Sequence, residues 1–207
     1  MVALDAPKES RKKRIPRNVP EELVYEIIEG KPYYYKGYRD VLKKQKTVEE
    51  IRASTTFEWT ILGYLLELLF KMPAYSKYSI ATNEPGLHID RHNNLAGDIM
   101  VFRKEDLPGS AISLQYAAVP AHLHVELDIT PDVENETDMF YLSKKINKLL
   151  EFGMGKVLWV FTASRQVLVV THQTEWKWYN WDTDVELMDV VVFNIAGYLE
   201  REGIEVI

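Results

Sequence analysis

At 207 residues, with 46% hydrophobic and 27% charged residues, the chain has the size and composition of a globular protein with a full core, which excludes a disordered polypeptide or a miniature scaffold. Its longest apolar stretch, Ile61 to Phe70, is interrupted by Glu67 and followed by Lys71, so a membrane-spanning helix is excluded. The absence of cysteine excludes a disulfide framework, thiolate metal sites and a cysteine nucleophile; with a start that lacks an apolar signal core, it leads us to expect a cytoplasmic protein.

The net charge of −6 is unevenly spread. Residues 8–17 hold Lys8, Arg11, Lys12, Lys13, Arg14 and Arg17 against Glu9, a local +5 that leaves the remainder near −11. Such a run reads first as a solvated tail, and it can also neutralise phosphates. The expected organisation is therefore a flexible basic arm over residues 1–20 and a single domain over 21–207.

Beyond Pro16 and Pro20, Leu23 to Ile28 and Tyr33 to Tyr35 predict a hairpin about the Glu29-Gly30-Lys31-Pro32 turn. From Thr55 the period changes. Thr55 and Glu58 have capping-box spacing, and Ile61, Leu62, Leu65, Leu66, Leu68 and Leu69 recur at helical intervals. Short strands of one sheet are expected at Tyr78 to Thr82, Leu87 to Asp90 and Asp98 to Arg103. His122 to Ile129 alternates strictly, with Leu123, Val125, Leu127 and Ile129 on one face and His122, His124, Glu126 and Asp128 on the other. A second helix spans Asp138 to Phe152, striped by Met139, Leu142, Ile146, Leu149 and Leu150 and capped at Gly153. A hairpin comes next at Val157 to Phe161 and Val167 to Thr171, then a strand in the aromatic stretch from Glu175, then a short helix over Asn194 to Glu202. The order predicts an α/β fold with a mixed sheet.

Chemistry concentrates at three places. The polar face of the 122–129 strand sets two imidazoles and two carboxylates about 6–7 Å apart, as an edge strand facing water does, or as a set converging on a cation. Asp98 follows the Gly97 turn and opens an apolar strand, where a carboxylate commonly faces a cleft. On the second helix Lys145 flanks the apolar stripe more closely than Lys144 or Lys148, at about 100° per residue, so it leans toward the sheet. Elsewhere, His88, Asp90 and His92 read as an exposed loop beside Asn93 and Asn94. No serine has a nucleophile-elbow setting, and Trp176, Trp178, Tyr179 and Trp181 read as packing, a partner surface or a base-stacking surface.

Asp98, then Glu126 with Asp128, then Lys145 on a helix followed by a hairpin, resembles the PD-(D/E)xK restriction-endonuclease-like superfamily, and within it the Uma-two family of endonuclease-like proteins. The resemblance covers roughly residues 21 to 200. Tyr25-Glu26-Ile27-Ile28-Glu29-Gly30-Lys31 is similar to the family's opening hairpin, Glu58 with Ile61, Leu62, Leu65 and Leu69 to its first helix, and Gly97-Asp98-Ile99 to its Pro-Asp-Ile/Val strand. Val125-Glu126-Leu127 with Thr130-Pro131 resembles its Val-Glu-Val-x-Ser-Pro motif, and Lys145, Gly153 and the Val157 to Phe161 strand match the family's next helix and strand. The resemblance implies a restriction-endonuclease-like core and Mg²⁺-dependent cleavage of DNA, with Mn²⁺ able to substitute. It implies Asp98 and Glu126 as metal ligands and Lys145 as the catalytic lysine. Asp128 competes with Glu126 for the second ligand position, Glu58 is either a further ligand or only a capping carboxylate, and a homodimer is expected. Two alternatives stand beside this reading: a nuclease-fold binding module whose site has decayed, and a different metal-dependent hydrolase using His122 and His124 with Zn²⁺ or Mn²⁺.

Overall fold

The computed structural model describes residues 18–109, 112–133, 136–171 and 176–205. Residues 1–17 of the basic arm, and Glu175, lie outside the described residues. The hairpin β1 (Val24–Ile28) and β2 (Lys31–Tyr34) leads through two short helices, α1 (Tyr38–Leu42) and α2 (Val48–Arg52), to α3 (Thr56–Lys71). Strands β3 (Tyr78–Thr82), β4 (Gly86–Asp90), β5 (Asn93–Ala96), β6 (Ile99–Arg103) and β7 (Leu123–Leu127) come next, then α4 (Asp138–Phe152). The chain ends in β8 (Lys156–Phe161), β9 (Gln166–Thr171), β10 (Lys177–Asn180), the small hairpin β11 (Val185–Met188) and β12 (Val191–Phe193), and α5 (Ile195–Arg201).

The central sheet has six strands in the order β10-β9-β8-β7-β6-β3. Only the β7–β8 pair is parallel, because α4 carries the chain back between them. A four-stranded sheet, β2-β1-β5-β4, packs beside it. The apolar residues of each central strand alternate between two cores. Ile99, Val101, Leu123, Val125, Leu158 and Val160 meet α3 and α5, while Met100, Phe102, Val157 and Trp159 meet α4 and the second sheet. This is a mixed α/β architecture with helices on both faces of the central sheet. Among the described residues no helix is long and apolar enough to cross a membrane.

Local signals account for the helix ends. The capping box of Thr55 and Glu58 opens α3, and the Thr137 hydroxyl accepts the Phe140 N–H at the start of α4. Gly153, at φ 106°, closes α4 in the left-handed conformation that glycine adopts without strain.

Tertiary context alters four expectations. β4 does not join β3 and β6 in one sheet; it pairs with β5, and Asn93 and Asn94 belong to that strand instead of an exposed loop. Met139 is exposed, and Tyr141 and Lys145 take its place on the buried side of α4. The 122–129 strand is not an edge strand. It lies between β6 and β8, and β7 is buried along its whole length. The sequence pattern also carries no sign of α1, α2, β11 or β12, which are too short to establish a period.

Thr137→Ala removes the α4 cap and leaves the Phe140 N–H without a side-chain acceptor. We expect a loss of about 1 kcal/mol, read as a fall of about 2–4 °C in the melting temperature.

Candidate functional site

Alternation along β7 sends Leu123, Val125 and Leu127 toward α3 and turns His124 and Glu126 toward α4. On α4, Tyr141 and Lys145 stand one turn apart and so share a face. The Lys145 ammonium lies 2.8 Å from Glu126 Oε1 and 2.8 Å from Glu26 Oε2. Lys145 and His124 are fully buried, with Glu126 1% and Glu26 3% exposed. Aromatic rings complete the surroundings of Lys145, with Tyr25 at 5.1 Å, Trp159 at 5.7 Å and Tyr141 at 6.0 Å from the ammonium to ring centre.

Glu26 enters this group through an irregularity of β1. Val24 pairs with Tyr34 and Glu26 with Tyr33, so Tyr25 is an extra residue in the ladder. A bulge of this kind re-aims side chains, and both Tyr25 and Glu26 are buried. The Tyr25 hydroxyl donates to Glu126 Oε2 at 3.4 Å, and the Tyr141 hydroxyl donates to Glu26 Oε1. Burial, reinforced by Glu26, pushes the Tyr141 phenol well above its ordinary value and keeps it a donor. Glu26 is not among the residues that the sequence singles out. Its signal is its place in Val24-Tyr25-Glu26-Ile27-Ile28, two residues before the fully buried Ile28, where alternation calls for an apolar side chain.

Burial alone would raise the Glu126 carboxyl and lower the Lys145 ammonium. Lys145, and then His124, outweigh it and hold Glu126 below its ordinary value, while Glu126 and Glu26 hold Lys145 above its own. Glu26 differs. Burial, with Glu126 adding to it, outweighs Lys145 and leaves the Glu26 carboxyl raised. His124 Nε2 meets Glu126 Oε1 at 2.5 Å; since a carboxylate only accepts, Nε2 carries the proton.

Asp98 connects this buried cluster to solvent. Its backbone N–H donates to Val125 O at 3.1 Å, and its Oδ2 accepts the Leu127 N–H at 2.6 Å, so the carboxylate is locked where β6 and β7 meet. It lines a cleft of about 520 Å³ with Lys36, Arg52, Glu58, Glu84 and Asp128. Burial, then the charge of Glu126, pushes the Asp98 carboxyl up to about 7. The residue before it must be small, because a Cβ on Gly97 would come within 2.5 Å of the His124 ring. That contact gives a physical reason for glycine where the similar motif has proline.

The donor set fits one kind of cation. Asp98 and Glu126 are two carboxylates close enough to repel one another, and Mg²⁺ is commonly held by one or two carboxylates, with waters and substrate oxygens completing its shell. Among the described residues, no three His, Asp or Glu side chains form a group able to hold a metal, so an all-protein cage does not fit.

Asp98, Glu126 and Lys145 therefore come together, whereas the other sequence candidates have local work. Asp128, in the left-handed region at φ 54°, accepts the Thr162 N–H at 2.8 Å on Oδ1 and the Thr162 hydroxyl on Oδ2, bracing the β8–β9 turn. Glu58 lines the cleft, but its Oε2 accepts the Thr55 N–H in the capping box. His122 stacks on Tyr78 at 5.8 Å beside the α3 core, away from the α4 side that holds His124. The two imidazoles thus have different neighbours, Tyr78 for His122 and Glu126 for His124. Asp90 accepts from the His92 N–H and from Asn93, and His88 contacts Asn94, so these residues fasten the β4–β5 turn.

Two stability measurements test this description. Asp98 titrates at about 7 when folded against about 3.9 when unfolded, so the folded chain holds the extra proton between these values, and stability falls as pH rises through that window. Asp98→Asn, measured in EDTA, should match wild type below about pH 4 and exceed it well above pH 7 by up to about 4 kcal/mol, or about 8–16 °C; a pH-independent difference contradicts the assignment. Lys145→Met should cost about 3–5 kcal/mol in urea unfolding because it strands two buried carboxylates, and adding Glu26→Gln should recover part of that loss.

No protein-family model and no curated protein matches the sequence. Among solved structures, the fold is similar to the crystal structure of "a putative nuclease belonging to DUF820 from Anabaena variabilis ATCC 29413", with a TM-score of 0.59 and 14% identity over 84% of this chain and 85% of that one. At this identity the likeness establishes the fold.

Proposed function

We propose that the chain is a Mg²⁺-dependent endonuclease of the Uma-two kind, hydrolysing phosphodiester bonds in DNA, with Mn²⁺ able to replace Mg²⁺. The observation that carries this reading is the meeting of Asp98, Glu126 and Lys145 beside an open cleft, in a fold similar to that of the protein described as "a putative nuclease". Asp98 and Glu126 would hold the cation, which when bound would polarise the scissile phosphate and stabilise the leaving oxygen. The chain's own groups do the positioning. Lys145 and His124 both occupy Glu126 Oε1 and so orient its other oxygen, Oε2. Glu26 and Tyr141 in turn fix Lys145, whose charge offsets the charge that builds on the phosphate. Asp128 has a structural part, which favours Glu126 as the second ligand. The basic residues of the N-terminal arm would add phosphate contacts without sequence preference.

Supercoiled plasmid and single-stranded DNA, incubated with Mg²⁺, Mn²⁺ or EDTA, provide the test. Wild type should cut in either metal and not in EDTA. Glu126→Gln should lower the rate by about 10²–10³, the scale for losing one electrostatic group of a catalytic site, while Asp128→Asn should keep its rate within about threefold and lose stability. Folded wild type that cuts neither substrate in any metal overturns the nuclease reading and leaves a binding scaffold in its place.

A further inference from the structure

The aromatic stretch at the edge of the central sheet takes no part in the carboxylate site, yet a stacked row joins the two. Trp159 and Phe161 lie two residues apart on β8 and so on one face; their rings are 6.1 Å apart and within 5° of parallel. Trp178 of β10 continues the row, 5.5 Å from Phe161 at 28°. The row starts at Trp159, whose ring lies 5.7 Å from the Lys145 ammonium. It passes through Phe161, which lines the same cleft as Asp98, and ends at Trp178, which is 42% exposed.

The neighbouring aromatics have partners of their own. Trp181 is buried against Phe57 at 5.9 Å, Tyr179 packs on the α3 core and Trp176 on the α4 core. Trp178 instead leaves a large indole in water on β10, the outermost strand of the sheet. An exposed ring stacked on the wall of a cleft extends that cleft with an apolar, planar surface. Base–aromatic stacking is the interaction such a surface offers to a nucleic acid, and only a base freed from its pair can use it.

We infer that Phe161 and Trp178 form a stacking platform for an unpaired nucleobase, so that the strand entering the cleft is single-stranded at this point. The inference rests on the nuclease reading and narrows its substrate class. Arg165, exposed in the turn between β8 and β9, follows Ser164, which lines the cleft.

Binding of a fluorescent 12-nucleotide single strand and of the same sequence as a duplex, both in EDTA, tests the platform without cleavage. Trp178→Ala should weaken single-strand binding by about 5–150-fold, the range for one lost stack, and leave duplex binding unchanged; Trp178→Phe should retain most of the affinity. Unchanged single-strand affinity in folded Trp178→Ala overturns the inference. So does sedimentation that finds wild type a dimer and Trp178→Ala a monomer, since the indole then belongs to a second copy of the chain. The plasmid assay separates the two readings. Metal-dependent cutting with binding indifferent to Trp178 removes the platform alone, whereas single-strand binding that depends on Trp178, without cutting in any metal, removes the nuclease alone.

Discussion

One buried cation organises this molecule. Lys145 has no access to water, and an ammonium in that position costs several kcal/mol unless anions accompany it. Glu26 and Glu126 supply them from two different sheets, and each would be stranded without the lysine. The ion triad therefore joins the N-terminal hairpin, the central strand β7 and helix α4 at one point. The same requirement explains the ring of Tyr25, Tyr141 and Trp159 around it: these side chains exclude water and still offer hydroxyl donors or ring faces to the charges. The proposed site and the scaffold share these atoms, so altering the lysine disturbs folding whatever it does to chemistry.

The triad also divides labour among the carboxylates. Glu126 is held ionised by Lys145 and His124 against the pull of burial, whereas Asp98, whose Oδ2 accepts a backbone N–H, feels Glu126 as a repelling neighbour. A proton or a divalent cation can relieve that repulsion. The cleft-facing carboxylate is thus the more responsive member of the pair, and the buried one is the fixed reference against which it is set.

Local periodicity made much of this legible in the sequence. The period of two at 122–129 located β7, the helical stripe and Gly153 bounded α4, and the angle from that stripe marked Lys145 above Lys144 and Lys148. Periodicity says which face a residue occupies but not what covers that face. Hence the polar face of β7 fits either the solvent side of an edge strand or a set converging on a cation until the tertiary structure shows that α4 buries it. Glu26 keeps the period of two with Ile28, but a carboxylate in a surface hairpin gives no sign of the buried lysine that faces it; the bulge brings Tyr25 inward beside it. Asp128 rivals Glu126 in type and spacing, and its bonds to Thr162, which depend on turn geometry, separate the two; Glu58 stands open in the sequence between a further ligand and a capping carboxylate, and its bond to Thr55 is the cap.

Charge sets the remaining constraint on function. The chain outside the basic arm is acidic, and the cleft wall carries Glu58, Glu84, Asp98, Asp128 and Asp138 against Lys36 and Arg52. Of these cations Arg52 is already engaged with Glu84 at 3.3 Å. A polyanion gains little from such a surface through counterion release, which needs several free lysines or arginines. On the proposed nuclease reading, affinity for a nucleic acid would then come from a recruited divalent cation, from the arm, or from contacts indifferent to charge. Stacking is such a contact, since the face of a base is as available beside a carboxylate as beside a lysine. On the same reading, an acidic cleft lined by Phe161, with the exposed Trp178 stacked on that ring, would suit a strand held by its bases more than one held by its phosphates.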